Sequence, residues 1–329
     1  MGSCVSKGST AGSPQHYAVQ YTDSPGAFRA ESSSVHNRAR TPRYGELQGP
    51  QASRLMPYQQ AFIGVARWPD SHFNRDDAPH QMEYGQSFYN KSRELGESVA
   101  SGQIGSFQEL WSEARDWRAS RAGADADVFL SPRDPNSYRE YATPLAEQYS
   151  YIKNKFANRK DGEVGSPADF LPKSKTFRIT GKIDGEKIPL TRITVSKDLH
   201  ADRMADPYPR LRNQGLGDLG EPNLMSHTNA EFVPQIMSHV ENLHQSATDA
   251  SVSDSHALKT LAEMHWWMAH AMPDKRGSAA KTELCVRSIA QARGMDLPPM
   301  RLGIVPDLEA LTMPLKDFVK SYEGFFENN

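Results

Sequence analysis

Read for its apolar positions alone, the chain changes texture four times. Residues 2–50 hold few strongly apolar side chains (Val5, Val19, Phe28, Val35 and Leu47), set among Ser-rich and Pro/Gly-containing stretches. Such a segment cannot bury enough surface to offset chain entropy, so residues 1–55 are expected to be a disordered tail, with order beginning near Tyr58. A helix is expected from Gln81 to about Val99. A better-marked one follows, where Ser106 and Glu109 form a capping box and Phe107, Leu110, Trp111, Ala114 and Trp117 recur at helical spacing. Pro and Asp punctuate Gly123 to Tyr141, which reads as a long loop.

Over residues 143–224 the period changes to two. Phe177, Ile179 and Ile183 alternate with polar residues, Asp184-Gly185 offers a tight turn, and Ile188, Leu190, Ile193 and Val195 follow as a second strand. From 225 the pattern is helical again: Phe232, Val233, Ile236, Val240 and Leu243; then Leu258, Leu261, Ala262, His265 and Met268, ended by Pro273. A third helix is expected from near Ser278 to Gly294, and Leu315 to Phe326 mark the last. The expectation is a mainly α protein with a small α+β insertion. Its segments are a tail over 1–55, a helical first part over 56–142, an inserted lobe over 143–224 and a helical second part over 225–329.

Composition adds limits. A mean hydropathy of -0.67 and the lack of any apolar run near the ~18 residues of a membrane helix argue against a transmembrane span. The 38 Lys and Arg nearly balance the 40 Asp and Glu, which disfavours nucleic acid as a partner. The balance hides a split, with +3 on the first 55 residues and -5 on the remainder. Two cysteines, Cys4 and Cys285, are too few for a disulfide framework, and no apolar stretch near the N-terminus resembles a signal peptide.

The first seven residues, Met-Gly-Ser-Cys-Val-Ser-Lys, fit the pattern for N-myristoylation, with Gly2 as acceptor and Ser6 in the recognition position. One acyl chain binds membranes only marginally, so Cys4, as a second acylation site, and the basic tail would supply the further signals.

Standard catalytic motifs are absent: there is no Walker A loop, no nucleophile elbow and no kinase signature set. His265 and His270, and likewise His239 and His244, are five apart and miss the i, i+4 spacing of helical zinc ligands, so no metal is expected. Cys285 lies mid-helix and reads as a small core residue. More informative is His270-Ala-Met-Pro-Asp-Lys-Arg-Gly-Ser-Ala-Ala-Lys281. Here a helix ends at Pro273, Ser278 can cap the next, and Lys275, Arg276, Gly277 and Lys281 cluster at the turn. Cations beside free helical N–H groups make an anion site, for phosphate or a sugar-nucleotide pyrophosphate; a solvated helix–turn–helix corner is the plain alternative.

The same segment resembles a degenerate Fic motif, H-P-F-x-[DE]-G-N-G-R-x-x-R. His270, Asp274, Gly277 and Lys281 fall in register; Ala271, Met272, Lys275, Arg276 and Ser278 replace the rest. Along most of its length the chain resembles the AvrB family of type III effectors, which bacteria inject into plant cells. The matching runs include Phe62–Asp70, Ser106–Trp111, Ala142–Leu145, His227–Ala230, His265–Trp267, Ala271–Asp274, Arg276–Lys281 and Leu297–Pro299; residues of about 150–224 match poorly. The resemblance implies a two-lobed molecule with a Fido-like helical core and a nucleotide-binding cleft. It implies action at the cytoplasmic face of the host plasma membrane on a disordered, membrane-tethered plant immune regulator. It also implies transfer of rhamnose from a nucleotide sugar, UDP- or dTDP-rhamnose, to a Thr or Ser of that regulator.

Carried over position by position, the cleft residues are Tyr84, Thr143, Tyr149, His227, Arg276 and Asp307. Arg276 could stabilise a departing diphosphate, His227 or Asp307 could accept the proton of an incoming hydroxyl, and Thr143 could orient sugar or peptide. Tyr84 and Tyr149 could stack on a base or sugar, with Lys275, Gly277 and Ser278 completing the nucleotide site. The alternative class is a non-enzymatic adaptor that holds the regulator, and an ADP-like nucleotide in the cleft, for host kinases. AMP transfer ranks lower: His270 stands in the register of the Fic base, but Lys275 and Arg276 spoil the phosphate loop.

Overall fold

A computed structural model describes residues 46–74, 79–133, 142–145, 149–157, 159, 163–164, 174–196 and 224–328. The helices are α1 Pro57–Gln60, α2 Pro79–Ala100, α3 Phe107–Ser120, α4 Ala126–Leu130, α5 Ser150–Ala157, α6 Val233–Ala247, α7 Asp254–Ala271, α8 Ser278–Ala292, α9 Pro306–Ala310 and α10 Leu315–Ser321. The strands are β1 Ala142–Pro144, β2 Glu163–Val164, β3 Ser174–Ile183, β4 Glu186–Ser196 and β5 Leu224–Ser226.

Helix α7 is the axis of the body. Trp266, Trp267, Met264, Leu261 and His265 are all fully buried on it, so it is not the one-faced amphipathic helix that its spacing suggests. Helices α6, α8, α9 and α10 surround it. Helix α2 lies close on α8 at Gly96, where a Cβ would stand 2.6 Å from that of Gln291. Helix α3 starts as its sequence demands: Ser106 Oγ accepts from the Glu109 amide at 3.2 Å, and Glu109 accepts from the Ser106 amide at 3.1 Å. The Glu241 carboxylate takes the next free amide, that of Phe107, at 2.9 Å and so ties α6 to this start.

The alternating segment forms a larger sheet than one hairpin. Five antiparallel strands run in the order β1-β5-β4-β3-β2. Asp184 and Gly185, at φ 51° and 86°, make the tight turn between β3 and β4. Between Arg178/Arg192 and Thr180/Pro189 the register slips, with one residue on β3 opposite two on β4. The bulge leaves consecutive residues Leu190 and Thr191 both buried, and Thr191 Oγ1 meets His270 Nδ1 at 2.8 Å. On β3, Gly181 clears the Trp267 ring of α7; a Cβ there would come within 2.2 Å of it. A second apolar cluster (Leu145, Ile152, Phe156, Phe177, Ile193, Met225 and Leu308 among others) joins α5 and the sheet to α9.

Three expectations change. The stretch from Gly123 to Tyr141 is not all loop: a 3-10 turn and α4 span Gly123 to Leu130, because Phe129 finds a buried seat against Gly277. Order does not wait for Tyr58. The Gly49 amide donates to the Ala292 carbonyl at 2.9 Å, Ser53 donates to Asp296 at 2.6 Å, and Leu55 is buried. Ser278 is the first residue of α8 rather than its cap, a place taken by Gly277 in the left-handed region. The acylation residues Gly2 and Cys4, and the rest of the expected tail up to residue 45, lie outside the described residues.

Candidate functional site

Among the described strands β1 lies at the edge of the sheet, paired with β5 so that Thr143 stands opposite Met225. The chain leaves β5 at Ser226, and the next residue, His227, turns its ring back to Thr143. Thr143 Oγ1 and His227 Nε2 are 2.8 Å apart. His227 is buried, and this burial together with the Arg133 guanidinium holds its pKa down to about 3, so the ring is neutral at neutral pH. A neutral ring that accepts from the Thr143 hydroxyl through Nε2 carries its proton on Nδ1, which has no partner among the described residues.

Arg133 ties this pair to the next part of the site. Its guanidinium donates to the carbonyls of Thr228 and, at 2.9 Å, Ala271, while its amide donates to the Pro273 carbonyl at 2.7 Å. The Lys275 amide returns a bond to Ser131 at 2.9 Å. The chain after α4 is thereby laced to the turn between α7 and α8.

That turn is held from within. Lys281 is fully buried, its Nζ donating to Asp274 Oδ2 at 2.6 Å, the Phe129 carbonyl at 2.6 Å and the Arg276 carbonyl at 3.0 Å. Arg115 grips the same carboxylate with two bonds, at 2.7 and 3.2 Å. Ser278 Oγ exchanges bonds with the backbone of Asp274. The anion site expected from the sequence therefore loses Lys281 and Ser278 to structural work. Lys275 is exposed, and Arg276 stands partly exposed with, among the described residues, only a surface pair to Asp125, at 3.3 Å.

The remaining positions lie on adjoining elements. Tyr84, on α2, packs against Phe88 and Trp117, with the Arg118 guanidinium 5.9 Å from its ring; burial raises its phenol to about 12. Tyr149 is buried edge-on against Trp68 at 5.6 Å, a packing role more than an open stacking platform. Asp307 opens α9, where burial outweighs the backbone amides that it faces and Glu283 adds repulsion. Its pKa rises to about 6. Glu283 is also felt by Tyr84, and Asp307 by Tyr151, whose buried hydroxyl has no partner among the described residues. Thr143 with His227 forms one locus; Arg276 shares Phe129 with Arg118, which in turn reaches Tyr84; Asp307 with Tyr149 and Tyr151 forms a third, and Arg133 laces the first to the turn that carries Arg276.

His270, in the register of the Fic base, is fully buried, bonded to Thr191 and held near pKa 3. Cys285 is buried and its thiol is pushed up by burial, in keeping with a core residue. Among the described residues no three His, Cys, Asp or Glu side chains gather as a metal site, and no helix is long and apolar enough to cross a membrane. The residues that sequence reading missed are Arg115, Arg118 and Arg133. They belong to no motif, and their roles come from elements far away in the chain.

Comparison with known proteins places the whole chain, residues 1–329, within the match of the AvrB_AvrC family model, described as avirulence protein. The chain is 33% identical over 302 residues to Avirulence protein B of Pseudomonas savastanoi pv. glycinea, a match covering 89% of this chain and 94% of that protein.

Proposed function

Because the chain belongs to the AvrB_AvrC family of avirulence proteins, effectors delivered into a host, we propose that it transfers a deoxyhexose, rhamnose, from UDP- or dTDP-rhamnose to a Thr or Ser of a plant immune regulator. The reaction breaks the bond between the anomeric carbon and the diphosphate and forms a new bond to the acceptor oxygen. The nucleoside diphosphate leaves, and the acceptor's proton goes to a base.

The observation that carries this reading is the presentation of Arg276. Asp274, Ser278 and Lys281 are spent on holding the loop, while the guanidinium of Arg276, beside the exposed Lys275, is left at the surface. A surface pair such as that with Asp125 contributes about 0–1 kcal/mol and yields readily to a diphosphate that accepts two parallel bonds. Asp307, with a pKa of about 6, is mostly ionised at neutral pH and basic enough to take the acceptor proton. His227, by accepting from the Thr143 hydroxyl, leaves the Thr143 oxygen to accept from sugar or peptide.

Acylation at Gly2 and Cys4 would hold the enzyme at the plasma membrane beside a tethered acceptor. AMP transfer has less support, because His270 is sealed in the core and bonded to Thr191. Incubation of the regulator with UDP-rhamnose, dTDP-rhamnose and ATP, followed by mass spectrometry, tests the proposal. A deoxyhexosyl adduct from a rhamnose donor supports it. An adenylyl adduct, or none from any donor with the regulator still bound, refutes it, and the latter favours the adaptor reading.

A further inference from the structure

With Lys281 withdrawn into the core, the turn at 274–278 presents Arg276 and the exposed Lys275, and a further cation beside them would complete a diphosphate site. Arg118 stands where one is needed. Its guanidinium carbon is 4.2 Å from the centre of the Phe129 ring, and that of Arg276 is 5.4 Å from the same centre. Gly277, the first residue before α8, touches the same two groups: a Cβ there would meet Phe129 at 2.6 Å and Arg118 Cγ at 3.4 Å. Arg118, Phe129, Gly277 and Arg276 are thus one contiguous patch, drawn from α3, α4 and the turn.

The charges around it do not cancel. Arg115 and Lys281 share the single carboxylate of Asp274. Among the described residues Arg276 pairs only with the exposed Asp125, and the nearby Glu283 is engaged with Arg287 at 2.8 Å. Among the described residues Arg118 makes no ion pair and no side-chain hydrogen bond, and its buried Nε has no partner. Two guanidinium groups on one aromatic ring gain from its face but repel each other, and an anion bound to both removes the repulsion.

We propose that Arg118 is a second anion-binding residue, which together with Arg276 clamps the diphosphate of a nucleoside diphosphate sugar over Phe129. The assignment rests on the glycosyl-transfer reading for the identity of the ligand, but the clamp itself is open to a binding test alone. Arginine suits the role because its planar fork takes two phosphate oxygens at once while its flat face stays on the ring. Phe129 holds both guanidinium groups in place before the ligand arrives, which lowers the ordering cost of binding.

Calorimetric titration of the full chain with UDP, inorganic pyrophosphate and uridine tests this. For UDP and pyrophosphate, Arg118→Gln and Arg276→Gln should each weaken binding roughly 10- to 100-fold, with uridine unchanged. Arg118→Lys, which restores the charge without the fork, should recover part of the loss. Melting temperatures without ligand should fall only slightly, since Gln gives up the guanidinium contact with the Phe129 ring but no ion pair stronger than the surface one to Asp125. The proposal is overturned if Arg118→Gln binds UDP as the wild type does, if uridine weakens in parallel, or if the wild type binds neither UDP nor pyrophosphate. A wild type that binds UDP through Arg118 yet transfers no sugar would sink the glycosyl-transfer reading and leave the clamp standing.

Discussion

Lys281 and Asp274 form an ion pair at 2.6 Å with both side chains wholly shielded from water, and the same Lys281 ammonium holds the Arg276 carbonyl. The pair fixes the backbone of the loop and with it the direction in which the Arg276 guanidinium is presented. Lys281→Met leaves the buried Asp274 carboxylate to Arg115 alone and takes the donor from the Phe129 and Arg276 carbonyls. It should destabilise the fold by about 1.5–3 kcal/mol, read as a lower urea midpoint. The double variant Lys281→Met/Asp274→Leu should recover part of the loss. A midpoint for Lys281→Met equal to the wild type would show that the pair does not hold the loop.

Three buried histidines make stability depend on pH with a definite sign. His227, His265 and His270 are each held near pKa 3 by burial, against 6.5 for an ordinary histidine. Between those values the unfolded chain binds protons that the folded chain refuses, so stability present above pH 6.5 drains away as pH falls toward 3. Asp307 opposes this in a narrower window, since its pKa rises from 3.8 to about 6 and its protonated form favours the fold. Urea midpoints should fall between pH 6.5 and 4, with a shallower fall in His265→Phe. A slope unaltered by that replacement would contradict the assignment.

Asp307 should also leave its mark on the rate. As a base it works only when ionised, so kcat/KM for sugar transfer should rise through about pH 6 and then level. Asp307→Asn should lower the rate by about 10²–10⁴-fold and remove that acid limb. The neutral His227 ring contributes no limb near pH 6.5. A wild-type profile that is flat from pH 5 to 8 would exclude Asp307 as the base.

Acylation gives a prediction independent of the fold. Gly2→Ala expressed in a plant cell should lose label from a myristate analogue and move off the membrane. Cys4→Ala should keep the label but hold the membrane weakly, because one acyl chain gives an affinity of only about 10⁴ M⁻¹. Label that persists in Gly2→Ala would rule out this anchor.

Local signals in the chain were read well where they are local in origin. The capping box at Ser106 and Glu109, the Asp184-Gly185 turn and the stop at Gly294 each work through neighbours a few residues away. Long-range partners were illegible. Lys281 looked like a phosphate cation because its sequence neighbours are Lys275 and Arg276; its fate is decided by Asp274 and by the carbonyl of Phe129, 152 residues distant. Arg118 and Arg133 carry no motif and gain meaning only when α4 docks on the turn. Tyr149 was placed among the stacking candidates by its position in a pattern, while Trp68 commits its ring to packing. Thr143 and His227, 84 residues apart, were both singled out through resemblance, and pairing of β1 with β5 is the reason that they meet.

The most direct test of the account is the intact mass of the purified acceptor regulator after incubation with UDP-rhamnose or dTDP-rhamnose, run in parallel with wild type and Arg276→Ala. The account predicts one added deoxyhexosyl mass, mapped to a Thr or Ser, with the wild type, and little or none with Arg276→Ala although the acceptor still binds. An unmodified acceptor with the wild type and both donors, or equal modification by Arg276→Ala, would contradict it.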